Sequence, residues 1–321
     1  MPIEWDADRR RRRHRSVTLS LLPVLLIAAA CGTGSDEAGT SDGPRVVATT
    51  GVLADIARSV AGADANVVQL IGDGVDVHGF SLSARDRQGL EDAALLVENG
   101  AGLEAGVPLD DIGTATWTLA DEGIAEGRPS NEGLPAAGAA DSVGDAEPEP
   151  NDPHVWMDPT FVASAAPSLA AALAAVDPDN EERYRKRAAD YADQLERLDQ
   201  EINDELASIA DERRTLVTSH DSLGYFADRY GLTILATPFP ASGPEAEPSA
   251  ARLADVAEAI TEAGVPAVFA QTSDGTDVLE TLARETGVAV VDQLLVASPG
   301  DAGSYEEMLR RDAMLISAAL R

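Results

Sequence analysis

The chain has 321 residues, and its 56 acidic against 24 basic side chains give a formal net charge of −32. That balance argues against nucleic acid and anionic lipid surfaces as partners and is compatible with attracting cations. A single cysteine rules out an intrachain disulfide framework, and the length permits two lobes of ordinary domain size.

Residues 1–30 read as an export signal and are set aside from the fold. Arginines crowd Met1 to Arg15, an apolar run follows from Val17 to Ala30, and three small residues precede Cys31. This is a basic n-region, an h-region and a small-residue cleavage site, whereas a membrane span needs about 20 apolar residues. Cys31 directly after Ala-Ala-Ala resembles a bacterial lipoprotein processing site, which implies a lipid anchor on that residue and an exported, membrane-attached protein. Residues 31–44, rich in Gly, Ser, Thr and acids, cannot bury enough apolar surface to order and read as a tether.

From residue 45 to 175 the pattern alternates. Strands are expected at Val46 to Thr50, Val67 to Ile71 and Leu95 to Glu98, with one more around Trp117 and Leu119; helices are expected at Val52 to Ala61 and Ser83 to Asp92. Residues 121–153 carry Gly, Pro, Ala, Asp and Glu without period and predict a long acidic loop. Asp158-Pro159 reads as the cap and first-turn proline of the helix after His154. Across 176–213, Asp177-Pro178 leads into an apolar stripe from Tyr184 to Ile209, predicting a helix from about Glu181 to Asp211 that joins two lobes. Residues 214–321 repeat the first lobe's grammar. Strands are expected at Leu216 to Thr218, Leu232 to Ala236, Ala267 to Gln271 and Val288 to Val291, and helices at Ser222 to Tyr230, Ser249 to Ala263, Thr276 to Thr286 and from Ser304. The expected fold is α/β: two lobes with mainly parallel sheets, one long linker helix, and a cleft between the lobes.

Of four histidines, one falls in the export signal. The other three, His78, His154 and His220, each follow an apolar strand-like run or stand beside a proline, and Asp292 continues the series at a similar interval. Donors spread so evenly meet only if strand ends come together, so the four read as one metal site. Three imidazoles and a carboxylate suit Zn²⁺, and Mn²⁺ also accepts such a set, although it favours harder, carboxylate-richer shells. Carboxylates close in sequence accompany each histidine: Asp76 with His78, Asp152 and Asp158 with His154, Asp221 with His220. Each can accept an imidazole N–H and so fix the tautomer, or can cap a neighbouring helix.

Six stretches then carry a resemblance: VVATTGVLADIARSVAG, GDGVDVHGFSLSARD, ALLVENGAGLE, NDPHVWMDP, TSHDSLGYFADRYGL and VVDQL. In this order the chain resembles the zinc- and manganese-binding solute-binding lipoproteins of bacterial ABC transporters. The resemblance implies ligand roles for His78, His154, His220 and Asp292, two lobes around a buried ion, and delivery to a permease working with its ATPase. It implies a monomer that binds and does not catalyse. Departures are Val77 where proline is common, Gln271 where relatives are often acidic, and an acidic loop before His154 without a histidine run; histidine at 220 looks like the zinc-type or dual-specificity branch. Two other classes stay open on residues alone, an adhesin or sensor built on the same lobes, and a zinc hydrolase. Against the hydrolase, the chain has no HExxH and no G-x-S-x-G elbow.

Overall fold

The computed structural model describes residues 43–109, 111–125, 152–239, 248–272 and 277–321. The export signal, Cys31, most of the 31–44 tether and residues 126–151 of the expected loop lie outside the described residues.

The first half opens with β1 (Arg45–Ala48), α1 (Gly51–Ala61), β2 (Asn66–Gln69), α2 (Ala84–Glu91), β3 (Leu95–Glu98), β4 (Thr116–Thr118) and α3 (Leu119–Ala125). The four strands form one parallel sheet in the order β2-β1-β3-β4. Local signals set the helix starts. Thr50 Oγ1 accepts Leu53 N–H, and Ser83 and Asp86 form a reciprocal capping box.

Next come α4 (Pro159–Val176) and α5 (Glu181–Leu206), which pack against each other. Asp158 caps α4 through Oδ1, which accepts Thr160 and Phe161 N–H, and Pro159 sits in its first turn. The 26 residues of α5 span about 39 Å at 1.5 Å per residue. Its buried stripe, including Tyr184, Tyr191, Leu195, Leu198, Ile202 and Leu206, follows the spacing legible in the sequence.

The second half holds β5 (Thr215–Val217), α6 (Gly224–Tyr230), β6 (Thr233–Ala236), α7 (Ala250–Ala263), β7 (Ala267–Gln271), α8 (Asp277–Thr286), β8 (Ala289–Leu294) and α9 (Tyr305–Leu320). Strands β5 and β6 pair in parallel, as do β7 and β8, and a parallel bridge from Thr218 to Phe269 joins the two ribbons. The resulting order, β6-β5-β7-β8, repeats that of the first half. In both halves the chain leaves the central strand toward opposite neighbours, the switch point at whose carboxyl edge α/β sheets place their ligands. One apolar cluster runs through both halves, from Val46 and Leu53 past Leu169 and Leu198 to Phe269 and Ile316, so α5 lies in a shared core.

Three expectations are corrected. Leu119 starts α3 instead of extending β4, and residues 121–125, expected in the loop, belong to this helix; buried Leu119, with Asp121 and Glu122 in the positively polarised first turn, stabilises it. Helix α5 stops at Leu206, short of Asp211, because Arg214 Nη2 donates to the Leu206 carbonyl at 2.8 Å and ends the ladder there. Strand β8 runs past Val291 to Leu294, so Asp292 lies within the strand.

Candidate metal centre

Three imidazoles that are far apart in sequence meet between the two halves. His78 follows β2, His154 stands just before a short 3-10 turn (Val155–Met157) that leads to α4, and His220 follows β5. The His154 ring centroid is 5.7 Å from that of His220 and 6.5 Å from that of His78. His154 and His220 are buried, and His78 is half-buried.

Identifiable partners place the loops that carry the histidines. Asp152 Oδ1 accepts both the His154 backbone N–H at 2.9 Å and ring Nδ1–H at 2.8 Å, in a buried loop. This fixes the tautomer and leaves the Nε2 lone pair for another partner. Trp156 packs edge-on to His154 at 5.2 Å between centroids, donates from Nε1 to the Val296 carbonyl at 2.9 Å, and accepts Tyr305 O–H at its own carbonyl. The loop carrying His154 is thereby tied to the segment after β8. Asp76 accepts the His78 backbone N–H at 3.0 Å, bracing the loop and not the ring. Asp158 serves the start of α4, as described above. Asp221 is buried next to His220 in the chain. At the end of β7, buried Gln271 Nε2 lies 3.0 Å from His220 Nδ1, 3.1 Å from His220 Nε2 and 2.7 Å from Ser222 Oγ.

Electrostatics favour the form of the His78 imidazole that a cation needs. Burial pushes the His78 pKa below the ordinary histidine value, and the neighbouring His154 adds to this, while Asp76 pulls the other way. A neutral ring keeps its lone pair at neutral pH.

Asp292 differs from these rings in being exposed. Register shifts between Phe269, opposite Val291, and Gln271, opposite Leu294, so Asp292 and Gln293 together face Ala270 in a β-bulge and are solvent-exposed. Such bulges redirect side chains, and this one forms because the strand continues past Val291, where it was expected to end. Among the described residues, no three His, Cys, Asp or Glu side chains are gathered tightly enough to ligate one ion together. Two imidazoles on one tetrahedral zinc, at Zn–N of about 2.0–2.1 Å, have centroids about 5.2 Å apart. The observed pairs are both wider, so the donor set fits a dication after a small inward shift of the rings. Asp292 lies on β8, which pairs with the strand that ends at Gln271.

Sequence reading singled out the three histidines and placed Asp152 near His154. It missed the ties made by Trp156 and Ser222. One signal was present for Trp156, a rare residue type, with three copies in the chain, lying inside the histidine motif.

Against known proteins, residues 46–319 match the family described as ZnuA, zinc-uptake complex component A, periplasmic. The chain belongs to this family. The zinc-binding protein TroA of Treponema pallidum is 30% identical over 301 residues, covering 92% of this chain and 93% of that protein. The manganese-binding lipoprotein MntA of Bacillus subtilis is 29% identical, covering 94% of this chain and 99% of its own. The solved structure of Treponema pallidum TroA superposes with a TM-score of 0.73 at 26% identity, covering 87% of this chain and 99% of that one. Members of the ZnuA family are substrate-binding components of metal ABC transporters and not enzymes, and this chain is accordingly a metal-binding transport protein. The two-lobed α/β arrangement with a connecting helix is that of the family.

Proposed function

We propose that this protein captures Zn²⁺, in preference to Mn²⁺, outside the cytoplasmic membrane and hands it to the permease of an ABC transporter. The ion is cargo, bound by His78, His154, His220 and Asp292. The observation that carries this reading is the meeting of three imidazoles, one of them held through Nδ1 by buried Asp152. Relatives named for zinc and for manganese both span the chain, so similarity alone does not choose between the ions. Donor softness supports zinc: three nitrogens and one carboxylate suit borderline-soft zinc better than manganese, which prefers oxygen-rich octahedral shells.

In this reading residues 45–175 and 214–321 are the two metal-binding lobes and 176–213 connects them. Cys31 carries the lipid anchor, residues 31–44 give the lobes reach from the membrane, and the protein works as a monomer. Titration of metal-free protein with Zn²⁺ and Mn²⁺ against a chelator of known affinity tests the choice. Tighter Zn²⁺ retention is expected; preferential Mn²⁺ retention overturns it.

A further inference from the structure

Glu104 is buried where strand ends of the first half converge. Its Oε1 accepts Thr49 Oγ1–H at 2.7 Å and Asn99 N–H at 2.9 Å, and its Oε2 accepts Gly100 N–H at 3.0 Å. Thr49 follows β1 and Asn99 follows β3. The turn held by these bonds is strained: Gly100, Ala101 and Gly102 have φ of 76°, 52° and 86°, and Ala101 is the one non-glycine residue with positive φ among the described residues. Such backbone persists only where its surroundings over-determine it, here through a carboxylate that accepts two successive N–H groups. Burial raises the Glu104 pKa, and the bonds from Asn99, Thr49 and Gly100 pull it back down.

The turn aims one side chain at the metal centre. Asn99 is fully buried, and its Nδ2 donates to the Pro153 carbonyl at 2.7 Å and to the Gly100 carbonyl at 2.9 Å. Its Oδ1 has no hydrogen-bond partner among the described residues, so the amide acts through what its nitrogen donates. Pro153 immediately precedes His154. Asp152 orients the His154 ring from within the loop and Trp156 ties the loop's far side, whereas Asn99 ties its near side to the sheet.

We propose that Glu104 and Asn99 are positioning residues for His154, acting in series: the carboxylate shapes the turn, and the turn presents the amide that fixes the Pro153 carbonyl and so the backbone from which the imidazole projects. Neither residue touches the ion. The inference rests on the reading of His154 as a metal ligand and adds the residues that aim it. Action in series has a consequence that independent packing roles lack: removal of either residue breaks the same tie, so the two losses do not add.

The test uses the full mature protein, Asn99→Leu, Glu104→Gln and the double variant. Leucine is close to asparagine in size but donates nothing, and glutamine in either orientation turns an amide N–H toward one of the donors that Glu104 accepts. Asn99→Ala replaces Asn99→Leu if circular dichroism shows that leucine disturbs the fold. Tyr184→Phe, which loses the bond to Asp177 Oδ2 at the opposite edge of the sheet, is the control for stability alone. Zn²⁺ affinity is measured by chelator competition, the His154 ring by ¹⁵N imidazole NMR on metal-free samples, and Tm by calorimetry. About tenfold weaker Zn²⁺ binding is expected for Asn99→Leu, with a loss in the same direction for Glu104→Gln and a displaced His154 Nδ1 resonance in both. The double variant should match the weaker single variant within about twofold. Tyr184→Phe should lower Tm with wild-type affinity. Wild-type affinity and an unmoved resonance in either single variant overturn the proposal while leaving the metal reading intact. Losses that add in the double variant, or that follow Tm through Tyr184→Phe as well, assign ordinary structural roles and also overturn it. Wild-type affinity in His154→Ala removes the ligand reading, and this inference with it.

Discussion

Asp152 offers the sharpest perturbation of the cluster, because one carboxylate oxygen serves both the backbone and the ring of His154 at 2.9 and 2.8 Å in a side chain only 4% exposed. In Asp152→Ala the imidazole keeps its nitrogens but loses the group that fixes its tautomer, and two buried N–H groups lose their acceptor. Loss of a carboxylate behind a metal-bound histidine typically lowers affinity about 10- to 100-fold, in line with about 1.5–3 kcal/mol for a hydrogen bond to a charged group. Asp152→Asn retains an acceptor oxygen without the charge, so a loss of only several-fold, roughly 1 kcal/mol, is expected. Chelator-competition titration at pH 7.5, with circular dichroism to confirm the fold, measures both. An Asp152→Ala protein with a native spectrum and wild-type Zn²⁺ affinity would refute the reasoning.

Replacement of His154 or His220 by Ala removes a donor outright and should weaken Zn²⁺ by more than about 100-fold, exceeding either Asp152 variant; equal or smaller losses in the same titration count against the ligand assignment. Zn²⁺ affinity should also fall in acid, by up to about tenfold per pH unit, once the pH drops through the His78 pKa, which burial holds below the ordinary histidine value. For the metal-free protein the lowered His78 pKa means that the unfolded state binds the extra proton first, so this stabilisation is present above about pH 6.5 and fades as pH falls toward the folded value; in His78→Gln that part of the melting profile should vanish. Asp312 is fully buried, with Oδ1 accepting Leu295 N–H, and burial drives its pKa well above the usual carboxylate value. The folded state then holds a proton that the unfolded state releases above about pH 4, so Asp312→Asn should melt higher than wild type at pH 8 and lose that advantage near pH 4; a pH-independent difference would contradict it. Trp156→Phe removes the donor to Val296 O and should cost about 1–3 kcal/mol, a fall in Tm of several degrees by calorimetry.

What could be read beforehand was whatever neighbouring residues decide. Strand β3 is found residue for residue where its apolar run stands, Ser249 and Ser304 cap α7 and α9 where helix periods begin, and Asp158-Pro159 opens α4. Distant partners decide the rest. The end of α5 depends on Arg214, eight residues beyond Leu206, and the bulge at Asp292 exists only through pairing with β7. The site divides in the same way: strand-end positions flagged the three histidines, whereas the contact of Gln271 with His220 joins residues 51 apart and has no local signature.

The central claim is that three imidazoles and one carboxylate share a single ion. A crystal structure of the Zn²⁺-loaded protein with anomalous data at the zinc edge tests it most directly. The account predicts one peak within about 2.0–2.2 Å of a ring nitrogen of His78, His154 and His220 and of an Asp292 carboxylate oxygen. A peak elsewhere, or an ion held by the imidazoles with Asp292 still turned to solvent, would contradict it.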